Sequence, residues 1–199
     1  MNENTKKKST AHLLLDYVEM FVITVAIVIL LLSFFFRICV VSGPSMNNTL
    51  LDGEKLIVSD LFYTPTTGDI IVFHQTSDLY DQFNEPIVKR VIALGGEFVR
   101  IDYKENKVYV SDDQEFTEDE LLDESTYAHF ESPNGVWKEA AMTDSRVFEV
   151  PKGHLFVRGD NRNVSADSRG PQVGFVDERR VLGKVLFRIT PFNKMGKVG

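Results

Sequence analysis

Cysteine occurs once, as Cys39, so the chain can build neither an internal disulfide nor a cysteine-rich zinc site. Cys39 lies in an apolar run and reads as a small hydrophobe. Basic charge is also scarce, with 22 Lys+Arg against 29 Asp+Glu and a formal charge of −7. That balance argues against nucleic-acid binding, which wants a basic face, and against attachment through anionic lipid alone. No H-E-x-x-H and no close histidine pair is present, so no metal or other cofactor is expected. A G-x-S-x-G elbow is missing as well. Beyond one N-terminal segment there is neither a long amphipathic helix nor an internal repeat.

That one segment is the most apolar part of the chain. Met20 to Phe36 carries no charge, and only Thr24 and Ser33 are polar. Counted from Tyr17 the run is 20 residues, about what a helix needs to cross a bilayer core. It is longer than a signal h-region, and Phe34–Phe36 crowd the place where a small-residue cleavage site would begin. A retained anchor over residues 17–37 is expected. Lys6, Lys7 and Lys8 precede it and only Arg37 follows closely, which predicts a cytoplasmic tail (1–16) and an extracytoplasmic domain (38–199). His12 then falls on the cytoplasmic side, away from any external site.

Residues 38–199 read as mainly antiparallel β. Leu56–Val58, Ile70–Phe73, Ile87–Leu94, Phe148–Val150, His154–Val157 and Val181–Ile189 are short apolar runs bounded by turn residues. Alternation on both sides of Glu105–Asn106 predicts a hairpin, and the turn Pro151–Gly153 predicts that Phe148–Val150 pairs with His154–Val157. Residues 111–131 hold nine acidic side chains and no Lys or Arg. This stretch reads as a solvated insertion, partly ordered by Leu121, Leu122, Tyr127 and Phe130. Its carboxylates lack the spacing of a calcium loop.

Three short stretches could carry chemistry. "SGPSMNNTL" (42–50) follows the anchor and is either a juxtamembrane linker or a catalytic loop. "PIVKRVIAL" (86–94) places Lys89 on one strand face with Ile87 and Val91, and Arg90 on the other with Val88 and Ile92. A lysine there is either a snorkelling surface residue or a buried amine whose pKa desolvation lowers. Only the lysine could act as a base, and Ser-Lys is a known nucleophile–base pair. "GDNRNVSADSRG" (159–170) is either a plain Asx- and Ser-rich turn or a polar scaffold that orients other groups. External His74, His129 and His154 sit in no recognisable motif and read as structural or surface residues.

Taken together, an N-in anchor followed in order by "SGPSMNNTL", "GDIIVF", "KRVIALGG" and "GDNRNVSADSRGPQVGFV" resembles the type I signal peptidase family, in its Gram-positive form, from the anchor to about Lys184. The resemblance implies the antiparallel β fold shared with self-cleaving repressors. It also implies an endopeptidase that removes signal peptides from exported proteins at the membrane. It assigns Ser45 as nucleophile, Lys89 as general base, Ser165 as a hydroxyl that orients the lysine, and Asp167–Arg169 as a supporting ion pair, with Asp160 and Arg162 as scaffold. Gly43 stands where some members carry a serine that helps bind the oxyanion. Met46 follows the nucleophile, and Val41, Leu50, Leu56, Val72 and Val88 match walls of shallow pockets for small residues at −1 and −3. Asn48 replaces a proline common in the family, and "HQTSDLYDQFNE" (74–85) reads as a possible flap. Two other readings are a catalytically silent tethered module and a soluble self-cleaving repressor relative. The Ser–Lys pair argues against the first, and the anchor against the second.

Overall fold

The computed structural model describes residues 10–47, 49–75, 86–129 and 145–198. Lys6–Lys8, Asn48, the 76–85 part of the expected flap, Phe130 and Glu131 lie outside them. The chain divides into two compact units, Met1–Arg37 and Ile38–Gly199.

The first unit is a helix, α1 (Thr10–Phe35), of 26 residues with none buried. At helical rise that is roughly 39 Å, more than the ~30 Å of a bilayer core. It begins earlier than Tyr17, and "AHLLLD" supplies Ala and three Leu as good helix formers. The two polar side chains within its uncharged stretch, Thr24 and Ser33, are bonded within the helix. Thr24 Oγ1 donates to the Met20 carbonyl and Ser33 Oγ to that of Leu30, each at 2.8 Å. Satisfying polar groups within the helix is what hydrocarbon demands, and the helix is long and apolar enough to cross a membrane.

The second unit is mainly antiparallel β. After β1 (Phe36–Val40), which spans the boundary, come β2 (Lys55–Ser59), β3 (Ile70–His74), β4 (Pro86–Ala93), β5 (Phe98–Asp102), β6 (Lys107–Ser111), β7 (Arg146–Glu149), β8 (His154–Arg158), β9 (Val176–Asp177), β10 (Val181–Thr190) and β11 (Gly196–Lys197). Beyond α1, the described residues hold only short 3-10 turns as helix. The large sheet runs β1-β2-β10-β3-β4-β8-β9, with β11 also on β10, and a smaller one runs β6-β5-β7. The hairpin about Glu105–Asn106 forms as β5–β6, with Phe98 opposite Ser111 and Asp102 opposite Lys107.

The expected pairing of Phe148–Val150 with His154–Val157 does not form. β7 pairs with β5, whereas β8 pairs with β4 and β9. The Pro151–Gly153 turn carries the chain from one sheet to the other, because Gly95 backs onto the Pro151 carbonyl and the Gly153 nitrogen with no room for a Cβ. The two-residue strands β9 and β11 are too short to leave a pattern. β1 hides inside the same apolar run as the helix.

β4 lies between β3 and β8, so both of its edges are paired, and other segments meet its two faces: the turn holding Ser45 at Lys89, and Asp160 with the Tyr127 ring at Arg90. This is why Lys89 and Arg90, on opposite faces, are each only 4% exposed. Beside β4 one core cluster gathers Val41, Met46, Leu50, Leu56, Val58, Ile70, Val72 and Val185. It fixes the segment between β1 and β2 that contains Ser45.

Candidate active site

Ser45 sits in a tight, heavily bonded turn. Gly43 has φ +84°, a conformation that favours glycine, and its N–H donates to Asp52 Oδ1 at 2.8 Å. The Asn47 N–H reaches the Pro44 carbonyl at 3.1 Å, and that of Leu50 the Met46 carbonyl at 2.9 Å. Met46 and Leu50 turn inward as core anchors. Ser45 is left half-exposed, facing a cavity of about 250 Å³.

Lys89 reaches Ser45 from β4. Its Nζ lies 2.8 Å from Ser45 Oγ and 3.0 Å from the Val88 carbonyl. Burial is the main influence on the amine and drives its pKa down from 10.5 to about 8, against the opposing pull of Asp167 and Asp160. The side chain is therefore a buried amine rather than a snorkelling one. Among the described residues its amine does not bond to Ser165. The Ser165 hydroxyl points to the Ala166 carbonyl at 3.4 Å, while the lysine is held by its neighbour's backbone. Ser165 is 2% exposed and packs against Gly159, where a Cβ would collide with the Ser165 side chain and the Ser45 carbonyl.

The polar stretch 159–170 is buried scaffold. Arg169 grips Asp167 with Nε to Oδ1 at 2.7 Å and Nη2 to Oδ2 at 3.0 Å. Burial works to raise the Asp167 pKa, but the Arg169 charge and hydrogen bonds outweigh it and hold the carboxyl below its usual range. Arg90 clasps Asp160 through Nε and Nη2 at 2.9 and 2.8 Å, and donates Nη1 to the Gly68 carbonyl at 2.8 Å. Asp160 in turn accepts from Thr49 Oγ1 at 2.5 Å. The Asn161 N–H binds the Ser45 carbonyl at 3.0 Å, and its Nδ2 the Pro44 carbonyl at 3.2 Å. The serine turn is thus held from beneath by the loop and, at Thr49, from both sides, since Arg188 Nη1 donates to the Thr49 carbonyl at 3.1 Å.

The expected pocket walls divide. Val41, Met46 and Val88 line the cavity, together with Ser42–Ser45, Pro86, Ile87, Lys89, Val164 and Ala166. Leu50, Leu56 and Val72 do not; they are fully buried behind it in the same core cluster. Alternation alone could not separate a wall from the layer behind it. The cavity has no histidine in its lining. His74 ends β3 at the surface, His154 faces the Lys152 carbonyl, and His129 is bonded through its backbone to Asp160. Among the described residues no group of three or more His, Cys, Asp or Glu could hold a metal.

Three groups went unread in the sequence. Thr49 lies within "SGPSMNNTL" without an assigned role, and Arg188 carries no motif. Glu124 is one carboxylate among nine in its stretch, yet only 9% exposed.

Among the described residues a buried amine touches a half-exposed hydroxyl, an arrangement in which an amine can activate a hydroxyl as a nucleophile. Comparison with known proteins agrees. Residues 14–190 match the sequence model of the family described as signal peptidase, peptidase S26. The chain belongs to this family, and so is a serine endopeptidase, a peptide-bond hydrolase of the kind that removes signal peptides. It is 33% identical over 181 residues to signal peptidase IB of Staphylococcus aureus, covering 86% of this chain and 88% of that one. It is 29% identical over 203 residues to the "Probable signal peptidase I-1" of Synechocystis, covering 99% and 93%. Among solved structures, a signal peptidase I of Enterococcus faecalis aligns with TM-score 0.40 and 29% identity over 62% of this chain and 97% of that one.

Proposed function

We propose that Ser45 is the nucleophile and Lys89 the general base of a membrane-tethered peptidase. It cuts signal peptides from exported preproteins after small residues at −3 and −1. The observation that carries this reading is the 2.8 Å contact between Lys89 Nζ and Ser45 Oγ, made by an amine that is 4% exposed. As Ser45 Oγ attacks the scissile carbonyl carbon, its proton passes to the neutral amine and then to the departing amide nitrogen, leaving an acyl-enzyme. Lys89 next takes a proton from water, whose oxygen attacks the ester carbonyl, and returns that proton to Ser45 Oγ as the ester bond breaks. The Ser45 N–H is a donor for the oxyanion. The Gly43 N–H is already given to Asp52, so residue 43 serves the shape of the turn. Asp167, Arg169 and buried Ser165 hold the floor beneath Lys89.

Selectivity for small side chains follows from a shallow cavity whose walls include Val41, Met46 and Val88. Helix α1 is the bilayer anchor, and the lysines before it set the N-terminus inside and residues 38–199 outside, in a single pass.

Cleavage of a preprotein with an A-x-A site in detergent, beside Ser45→Ala and Lys89→Ala, tests the reading. Both folded variants are expected to be inactive, and normal processing by either refutes it. The pH profile supplies a second check. At pH 7 only about a tenth of an amine with pKa about 8 is neutral. Activity therefore climbs with pH and levels off above about 8, whereas a histidine base would level off near 6.5.

A further inference from the structure

One carboxylate of the acidic stretch, that of Glu124, is buried. Glu124 accepts both arms of the Arg162 guanidinium, Nη1 at 2.6 Å and Nη2 at 2.5 Å. Arg158 Nη1 stands 3.8 Å from the same carboxylate. Arg158 is 3% exposed, and its Nε and Nη1 have no hydrogen-bond partner among the described residues. Glu124 is thus the counter-charge shared by two buried guanidiniums.

The residues after Glu124 run on along the catalytic loop. The Tyr127 ring lies under the Arg90 guanidinium at 4.1 Å and 5.9 Å from that of Arg162. The His129 N–H donates to the Asp160 carbonyl at 2.8 Å, and the Arg162 N–H returns to the His129 carbonyl at 3.1 Å. Residues 124–129 therefore brace 159–162 from one side. From that same stretch the Asn161 N–H holds the Ser45 carbonyl, and Arg162 Nε holds the Gly159 carbonyl at 3.0 Å.

We propose that Glu124 is a positioning residue: by fixing Arg162 it sets the 159–162 turn against the Ser45 carbonyl, and so sets the approach of Ser45 Oγ to Lys89. This rests on the Ser–Lys reading above. Its consequence is kinetic. A small displacement of a nucleophile costs on the order of 10²-fold in rate. A group that acts only on the reacting geometry lowers kcat and leaves KM alone.

The test is kcat and KM for preprotein cleavage, normalised to the folded fraction from thermal melts, in Glu124→Gln, Glu124→Asp and Tyr127→Leu. Glu124→Gln is expected to lose on the order of 10²-fold in kcat, with KM within about twofold of wild type. Glu124→Asp, which keeps the charge, should recover part of that loss. Tyr127→Leu leaves every buried charge paired and should show a smaller drop, again in kcat alone. Wild-type kcat in folded Glu124→Gln, or a change confined to KM, overturns the proposal. If Glu124→Gln does not fold, wild-type kcat in Tyr127→Leu overturns it instead. Ser45→Ala in the same assay separates the two ideas, because residual cleavage there would sink the Ser–Lys reading whatever Glu124 does.

Discussion

Residues 112–123 and 159–170 are both polar, charged and poor in large apolar side chains, yet one stretch lies largely at the surface and the other is largely buried. In the first every charge is negative. Among the described residues its carboxylates find hydroxyls and backbone N–H groups as partners, as where Glu120 and Thr117 close a capping box on one 3-10 turn. Such groups stay in water because burying an unpaired charge is costly. In the second the signs are mixed and the spacing lets them meet. Asp160 finds Arg90, Asp167 finds Arg169, and Arg162 finds Glu124. Burial is set by whether each charge can find its opposite, and polarity by itself does not decide it. Glu124 marks the border, since it is the member of the acidic run that reaches an arginine.

The comparison breaks most sharply at Asp160. Asp160→Ala strands Arg90 in a fully covered strand and frees Thr49, and should cost about 3–5 kcal/mol by chemical denaturation, with activity lost. A cost under about 1 kcal/mol would mean that water reaches Arg90 and that the loop is not a dry scaffold.

Lys89 carries the opposite sign. In the folded chain its amine releases its proton at about pH 8, in the unfolded chain near 10.5. Below pH 8 both states are protonated and the fold bears the whole burden of a buried ammonium. Between 8 and 10.5 stability rises with pH, and above 10.5 the burden is gone. Lys89→Met should therefore be inactive yet more stable at pH 7 by about 2–3 kcal/mol, with the gain fading above pH 8. A pH-independent difference would contradict burial as the cause. At the small end, Asp119→Asn and Asp112→Asn should each change stability by less than about 0.5 kcal/mol and leave cleavage untouched. A larger loss would show that the exposed stretch holds partners of its own.

Much of this arrangement was legible because period-2 patterns and turn residues are local signals. The β5–β6 hairpin, the strand bearing Lys89 and the apolar helix all follow from neighbours in sequence. What stayed hidden depends on who lies across a gap. The covering of both faces of β4 comes from segments distant in the chain, the Ser45 turn at Lys89 and Asp160 with Tyr127 at Arg90, so the burial of Arg90 beside Lys89 could not be read from "PIVKRVIAL" alone. The transfer of the chain between sheets at Pro151–Gly153 arises from packing against Gly95. Leu50, Leu56 and Val72 share their apolar character with Val41 and Val88, and only depth separates core from cavity wall. Glu124 meets Arg162 across 38 residues, a span that no local pattern covers.

The strength of the base has one further consequence. The leading cause of the lowered Lys89 pKa is its enclosure, not a partner of opposite or like charge. Its proton affinity is therefore a property of the packed wall around Nζ as much as of the lysine. A packing defect that admits water beside Nζ weakens the enzyme in the same way as acidifying the medium. Distant substitutions that loosen this wall would present as a displaced pH optimum before they presented as a loss of fold.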